Sequence, residues 1–161
     1  MTGTWINVAA IMIGSCVGLF LKRGISDKLG GSLMQAVGLC VVIIGISGAL
    51  KSEDMIITIV SLAFGTLVGE SIDIEKKMDT FAQKAEDRFS NGKESGWFVR
   101  GFVTASLLFA VGAMAIVGSI ESGLNGNHEI LITKSLLDFI ASIVLTASLG
   151  IGVFFSAFVI L

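Results

Sequence analysis

The stretch "TKSLLDFIASIV" (residues 133–144) sets a lysine and an aspartate four residues apart inside a run, residues 130–161, that holds no other charge. How that run is divided decides the fold. A helix needs about 20 predominantly apolar residues to cross the ~30 Å hydrocarbon core, and at ~1.5 Å per residue this run would make a helix ~48 Å long. A break or a strong tilt is therefore expected, and "SLGIG" (residues 148–152) is the natural place for a break. Two placements follow. If the span is residues 139–161, Asp138 sits at the outer interface beside a snorkelling Lys134. If the helix enters at Ile130, Asp138 lies ~12 Å below the surface, where an unpaired acid is costly and is a functional candidate.

The rest of the chain supports a membrane reading. Hydrophobic residues are 53% of the 161 and charged residues 15%, against about a quarter charged in soluble domains. The 20 glycines and the absence of proline suit closely packed helices that break at glycine. A net charge of −2 gives no electrostatic case for nucleic acid. Cys16 and Cys40 lie in apolar runs with no second Cys or His to complete a metal site, and both are expected to be buried thiols.

An all-α, polytopic transmembrane bundle of about five spans is expected, as a single integral membrane domain over residues 1–161 with spans near 4–21, 32–50, 55–72, 101–119 and 130–161. The first span is expected to be retained rather than cleaved as a signal: no cation precedes it, hydrophobicity continues past Cys16, and Lys22 and Arg23 follow. The eleven cations distribute three, one, six and one over the successive connections, the alternation that the positive-inside rule predicts. The N-terminus is accordingly expected outside a bacterial inner membrane. Trp5 and Trp97 fall at opposite interfaces. The linker, residues 73–97, places Ile74, Met78, Phe81, Ala82, Ala85 and Phe89 on one helical face, predicting an amphipathic cytoplasmic connector.

Small residues recur at four-residue spacing in "GSCVG" (Gly14 and Gly18), "GTLVG" (Gly65 and Gly69) and "SLGIG", which carries Gly150 and Gly152. This spacing lets helix backbones approach closely, so these six glycines are the expected helix-packing positions, within the fold or between chains. Of the polar residues at depth, Asn7 and Gln35 are expected to bond neighbours or headgroups near helix ends, and Thr104 and Ser106 to bond back to their own helix. Glu70 is expected at the inner interface, and His128 as a solvated loop residue. Lys134, Asp138 and Ser142 share one helical face with Thr146 beside it, a polar stripe better suited to a wet or helix-lined interior than to lipid. These four are the candidate solute or ion pathway. The order Lys then Asp is the weaker one for an intrahelical pair, so each is expected to seek a partner on another helix.

The blocks "GTWINVAAIMIGSCVG", "MQAVGLCVVIIGIS", "GESIDIE", "GFVTASLLFAVGAMAIVGSIESGLNGNH" and "KSLLDFIASIVLTASLGIGVFFSA" together resemble the YdfK/YqgA-like family of uncharacterised bacterial inner-membrane proteins. The resemblance implies a membrane location and a transport role, with no substrate or catalytic residues to carry over. Family members look longer, so the chain resembles a C-terminally shortened member. The leading expectation is a transporter-like protein that binds or passes a small solute or ion. The alternative is a non-transporting assembly factor or scaffold whose glycine faces bind partner helices, or a second copy of the chain, and whose linker meets a cytoplasmic protein. No catalytic residues, cofactor or metal are expected, since no concentrated set of reactive side chains is visible.

Overall fold

The computed structural model describes residues 2–21, 24–52, 54–73, 93–110 and 112–160, with single positions 76, 77, 80 and 84 in the linker. All the regular structure in these residues is helical. The helices are α1 (Thr2–Phe20), α2 (Asp27–Leu50), α3 (Met55–Ile72), α4 (Lys93–Ala110), α5 (Ala113–Leu124), α6 (Glu129–Leu149) and the short α7 (Gly152–Ser156), which ends in a 3-10 turn, Ala157–Val159. Four of them, α1, α2, α3 and α6, are long and apolar enough to cross a membrane, and α4 and α5 together make a fifth, bent by 52° at its break. The six apolar positions of the amphipathic linker lie outside the described residues.

Helix α6 is the axis of the packed half. It begins at Glu129 and ends at Leu149, so the helix itself starts at the head of the terminal run rather than at Phe139. Its 21 residues span ~31 Å, enough for one crossing. It stops at Gly150, whose φ of 80° and ψ of −161° lie in a region that only glycine adopts readily. The chain then turns into α7.

Helix α1 lies along α6 in the same direction: Gly3 faces Leu131, Gly14 faces Phe139 and Ser142, and Gly18 faces Ile143 and Thr146. A parallel pair is what three intervening crossings would produce. Helix α4 runs back the other way, with Gly101 against Leu149 and the backbone at Phe98 and Phe102 against Gly152. The buried core where these elements meet is Val8, Ile11, Ala105, Phe109, Ala141, Val153 and Ala157.

Helices α2 and α3 are different. Their termini are built conventionally, with the Ser26 hydroxyl accepting from the amide of Leu29 at 3.3 Å and the Asp54 carboxylate from Ile56 at 2.9 Å. Yet none of α3 is buried among the described residues, and α2 meets the core near Gly30, which faces Val144, and through Met34. Helices that are apolar all round and uncovered belong in lipid or against other membrane helices. Cys16 and Cys40 share this outward placement: both are exposed on their helices rather than buried.

The expected fourth span, residues 101–119, is two helices and not one. Proline plays no part, since the chain has none. The ammonium of Lys134 donates to the carbonyl of Phe109 at 2.9 Å, the oxygen that a continuous helix would offer to the amide of Ala113. Gly112 is extended, at φ −176° and ψ 150°, and α5 starts afresh beyond it. A side chain inserted into the backbone ladder is a recognised cause of such a bend.

Candidate functional site

The polar stripe of α6 is brought together with two other helices, and the cluster centres on Asp138. Lys134 and Asp138, one turn apart on α6, form an ion pair, and both are buried. Each also has the partner on another helix that its position predicts. Lys134 donates to the Phe109 carbonyl at the broken end of α4, and Asp138 accepts from the Asn7 amide of α1 at 3.0 Å. Lys134 and Asp138 are the only charged residues buried among those described. A lone charge there would be very costly, so pairing and hydrogen bonding are conditions of its burial.

Asn7 is only 2% exposed, and of the two partners expected for it, a neighbour or a headgroup, it takes the neighbour, as a member of this cluster. Its Nδ2 serves Asp138, but its Oδ1 has no hydrogen-bond partner among the described residues. The sequence held a signal for it: Gly3, Asn7, Gly14 and Gly18 follow one another at intervals of four, seven and four, which is one face of a helix. The glycine face of α1 and its asparagine therefore had to meet the same neighbour. The contribution of Phe109 is a backbone carbonyl, which no side-chain pattern announces.

One half of the stripe is sealed. Ser142 and Thr146 are completely buried under α1: a Cβ at Gly14 would stand 2.1 Å from Ser142 Oγ, and one at Gly18 would stand 3.0 Å from Thr146 Cβ. Ser142 bonds back to the Phe139 carbonyl at 2.8 Å, while Thr146 Oγ1 and Ser15 Oγ are without partners among the described residues. Ser106 likewise makes no bond to its own helix among the described residues. The other half opens. Lys134 and Asn7 line a cleft of about 450 Å³ together with Thr4, Phe109, Ser119 and Ile160. The walls come from α1, from both sides of the α4–α5 break, from α6 and from residues 159 and 160, and the hydroxyls of Thr4 and Ser119 sit among mainly apolar side chains.

The six glycines separate in the same way. Gly14, Gly18 and Gly152 stand where backbones touch, Gly152 so closely that a Cβ would lie 2.1 Å from the Phe98 carbonyl. Gly65 and Gly69 on α3 have nothing within 4 Å among the described residues, and Gly150 forms the turn without close neighbours. His128, in the loop before α6, is paired with Ser122, Nδ1 to Oγ at 2.7 Å, rather than simply solvated. Among the described residues no three His, Cys, Asp or Glu side chains gather where a metal could be held.

The chain belongs to a family described as protein of unknown function (DUF554), whose model matches residues 2–161. It is 37% identical to an uncharacterized membrane protein, YdfK, of Bacillus subtilis (strain 168), over 99% of this chain and 68% of that protein. It is 29% identical to the uncharacterized protein YqgA of Escherichia coli (strain K12), over 94% of this chain and 66% of that one. The chain thus spans about two thirds of the length of both relatives. No solved structure matches it. With its apolar helices and this kinship, it is a membrane protein.

Proposed function

We propose that this protein is transporter-like, binding or passing a small solute or ion at the cleft that reaches Lys134, Asn7 and, behind them, Asp138. One observation carries the reading: a buried charge pair sits beside a broken membrane helix and adjoins an open cleft. Intramembrane ionisable residues mark solute and ion pathways, and secondary transporters form their sites at discontinuous helices near mid-membrane. Asp138 lies ~13 Å along α6, close to its midpoint. The role is binding and passage without covalent chemistry. It belongs with a bacterial cytoplasmic-membrane location and an external N-terminus, for which the loop charges speak; the cleft, at the N-terminal ends of α1 and α6, would then face outward.

Water decides it. Single cysteines from 134 to 149, in a background lacking Cys16 and Cys40, are to be treated with a membrane-impermeant thiol reagent. Labelling is expected at 134 and 138, with protection at 142 and 146 under the α1 glycines. Protection of the whole series would remove the pathway.

A second reading has its own observation. Gly38, Gly45, Gly48, Gly65 and Gly69 on α2 and α3 have nothing within 4 Å among the described residues, as they would on a scaffold that binds partner helices. Cysteine crosslinking at Gly65 and Gly69 in membranes would trap a foreign chain if that reading holds, and would trap none if it does not.

A further inference from the structure

We infer that the oxygen cluster around Lys134 is a binding site for a monovalent alkali cation, which the lysine's own ammonium fills when no ion is present. This rests on the transporter-like reading and supplies its solute class.

The ligands argue first. Lys134 Nζ is held by the Asp138 carboxylate and the Phe109 carbonyl, and Asn7, bonded to the same carboxylate, keeps an Oδ1 without a partner among the described residues although the residue is buried. A buried acceptor without a donor is costly and calls for a hydrogen or a cation. Carboxylate, amide oxygen and backbone carbonyl are all hard oxygens, which suit hard cations and not the softer transition metals. Carbonyls at the end of an interrupted membrane helix are known cation ligands, and the Phe109 carbonyl is in that position. The hydroxyl residues Thr4 and Ser119 line the adjoining cleft.

The charge argues next. Asp138 is the only buried carboxylate among the described residues and Lys134 the only buried cation, so the cluster is neutral as it stands. Exchanging one single positive charge for another keeps it neutral, whereas a divalent ion would leave an uncompensated charge in a medium that penalises it heavily. The lysine also has somewhere to go. It lines the cleft, and its flexible four-carbon stem can carry the ammonium outward while staying on apolar surface. Entry of the ion and departure of the ammonium are then one exchange, and Lys134 is both the competitor for the site and its plug.

The experiment is thermal unfolding of the purified chain in detergent, in lithium, sodium, potassium or N-methylglucamine chloride at equal ionic strength. The wild type, Lys134→Met and the double variant Lys134→Met with Asp138→Asn are compared. A ligand that binds only the folded state raises its unfolding temperature. Lys134→Met should be stabilised by at least one alkali cation, at a concentration at least tenfold below that needed by the wild type, and the double variant should lose the effect. Equal unfolding temperatures for Lys134→Met in all four salts, or an alkali effect that survives in the double variant, would overturn the inference.

If Lys134→Met does not fold in any salt, calorimetric titration of the wild type and Asn7→Ala with sodium, lithium and potassium chloride replaces it. Binding of one cation, weakened at least fivefold in Asn7→Ala, is expected, and no binding of any of the three to the wild type would overturn the inference. The pathway is judged separately. No cation effect with labelled positions 134 and 138 would discard the ion and keep a solute route. A cation effect with every position protected would keep the ion site and discard the route.

Discussion

Asn7 of α1 donates to Asp138 of α6 at 3.0 Å across 131 positions of sequence. On the same face of α1, Gly14 and Gly18 bring the backbones together, so a single helix contact both buries the acid and supplies it with a donor.

Asn7→Ala leaves Asp138 with Lys134 alone. Removing one partner of a buried hydrogen bond costs about 1–3 kcal/mol, so thermal unfolding in detergent should shift down clearly. Asn7→Asp should be worse, because it adds a second acid to a cluster with one cation. An Asn7→Ala protein as stable as the wild type would mean that the bond contributes nothing.

The charge pair should show a specific non-additivity. Breaking a buried pair by removing one member costs roughly 3–5 kcal/mol, while replacing both members together is often close to neutral. In a salt of N-methylglucamine, Lys134→Met and Asp138→Asn should each be strongly destabilised, and the double variant should recover most of the loss. Stability losses that simply add would show that the two side chains do not share one electrostatic site.

Glycines of identical spacing should behave in opposite ways. Gly14→Ala places a Cβ 2.6 Å from the Phe139 carbonyl, and Gly18→Ala places one 2.5 Å from the Ile143 carbonyl. Backbone oxygens cannot rotate aside, so overpacking of this kind costs about 1–3 kcal/mol. Gly65→Ala and Gly69→Ala meet nothing within 4 Å among the described residues and should be neutral or slightly stabilising, as an exposed helical glycine replaced by alanine is. Crosslinked helices or lost stability at Gly65 in membranes would instead identify α3 as an interface.

The break after α6 rests on one backbone conformation. Gly150→Ala puts a Cβ at φ 80°, where a strained residue costs of order 1–3 kcal/mol. The variant should unfold earlier and show greater protease sensitivity near residues 148–152. An unchanged digestion pattern would show that α6 and α7 are joined differently.

The sequence was explicit where the physics is local. Apolar runs of crossing length, cations alternating between connections, and a terminal run too long for one helix are all counted along the chain, and they specify an all-helical membrane protein with a break near Gly150. The face shared by Lys134, Asp138 and Ser142 is equally local, since helical periodicity fixes it whatever surrounds the helix. Small-residue spacing is weaker. It identifies which surfaces can come close but not which do, and so it gave the same prospect to Gly14 and Gly65.

Tertiary structure decided the rest, because burial and partnership depend on where a second helix lies. The sequence alone left Asp138 between a helix edge and a membrane interior; α6 starting at Glu129 and α1 lying parallel to it put the acid at mid-helix, bonded to Asn7. The bend at Gly112 has the same origin, since a lysine 25 residues from Phe109 takes the carbonyl that the local helix would have used. A backbone acceptor has no sequence signature, and only packing can bring a distant ammonium to it.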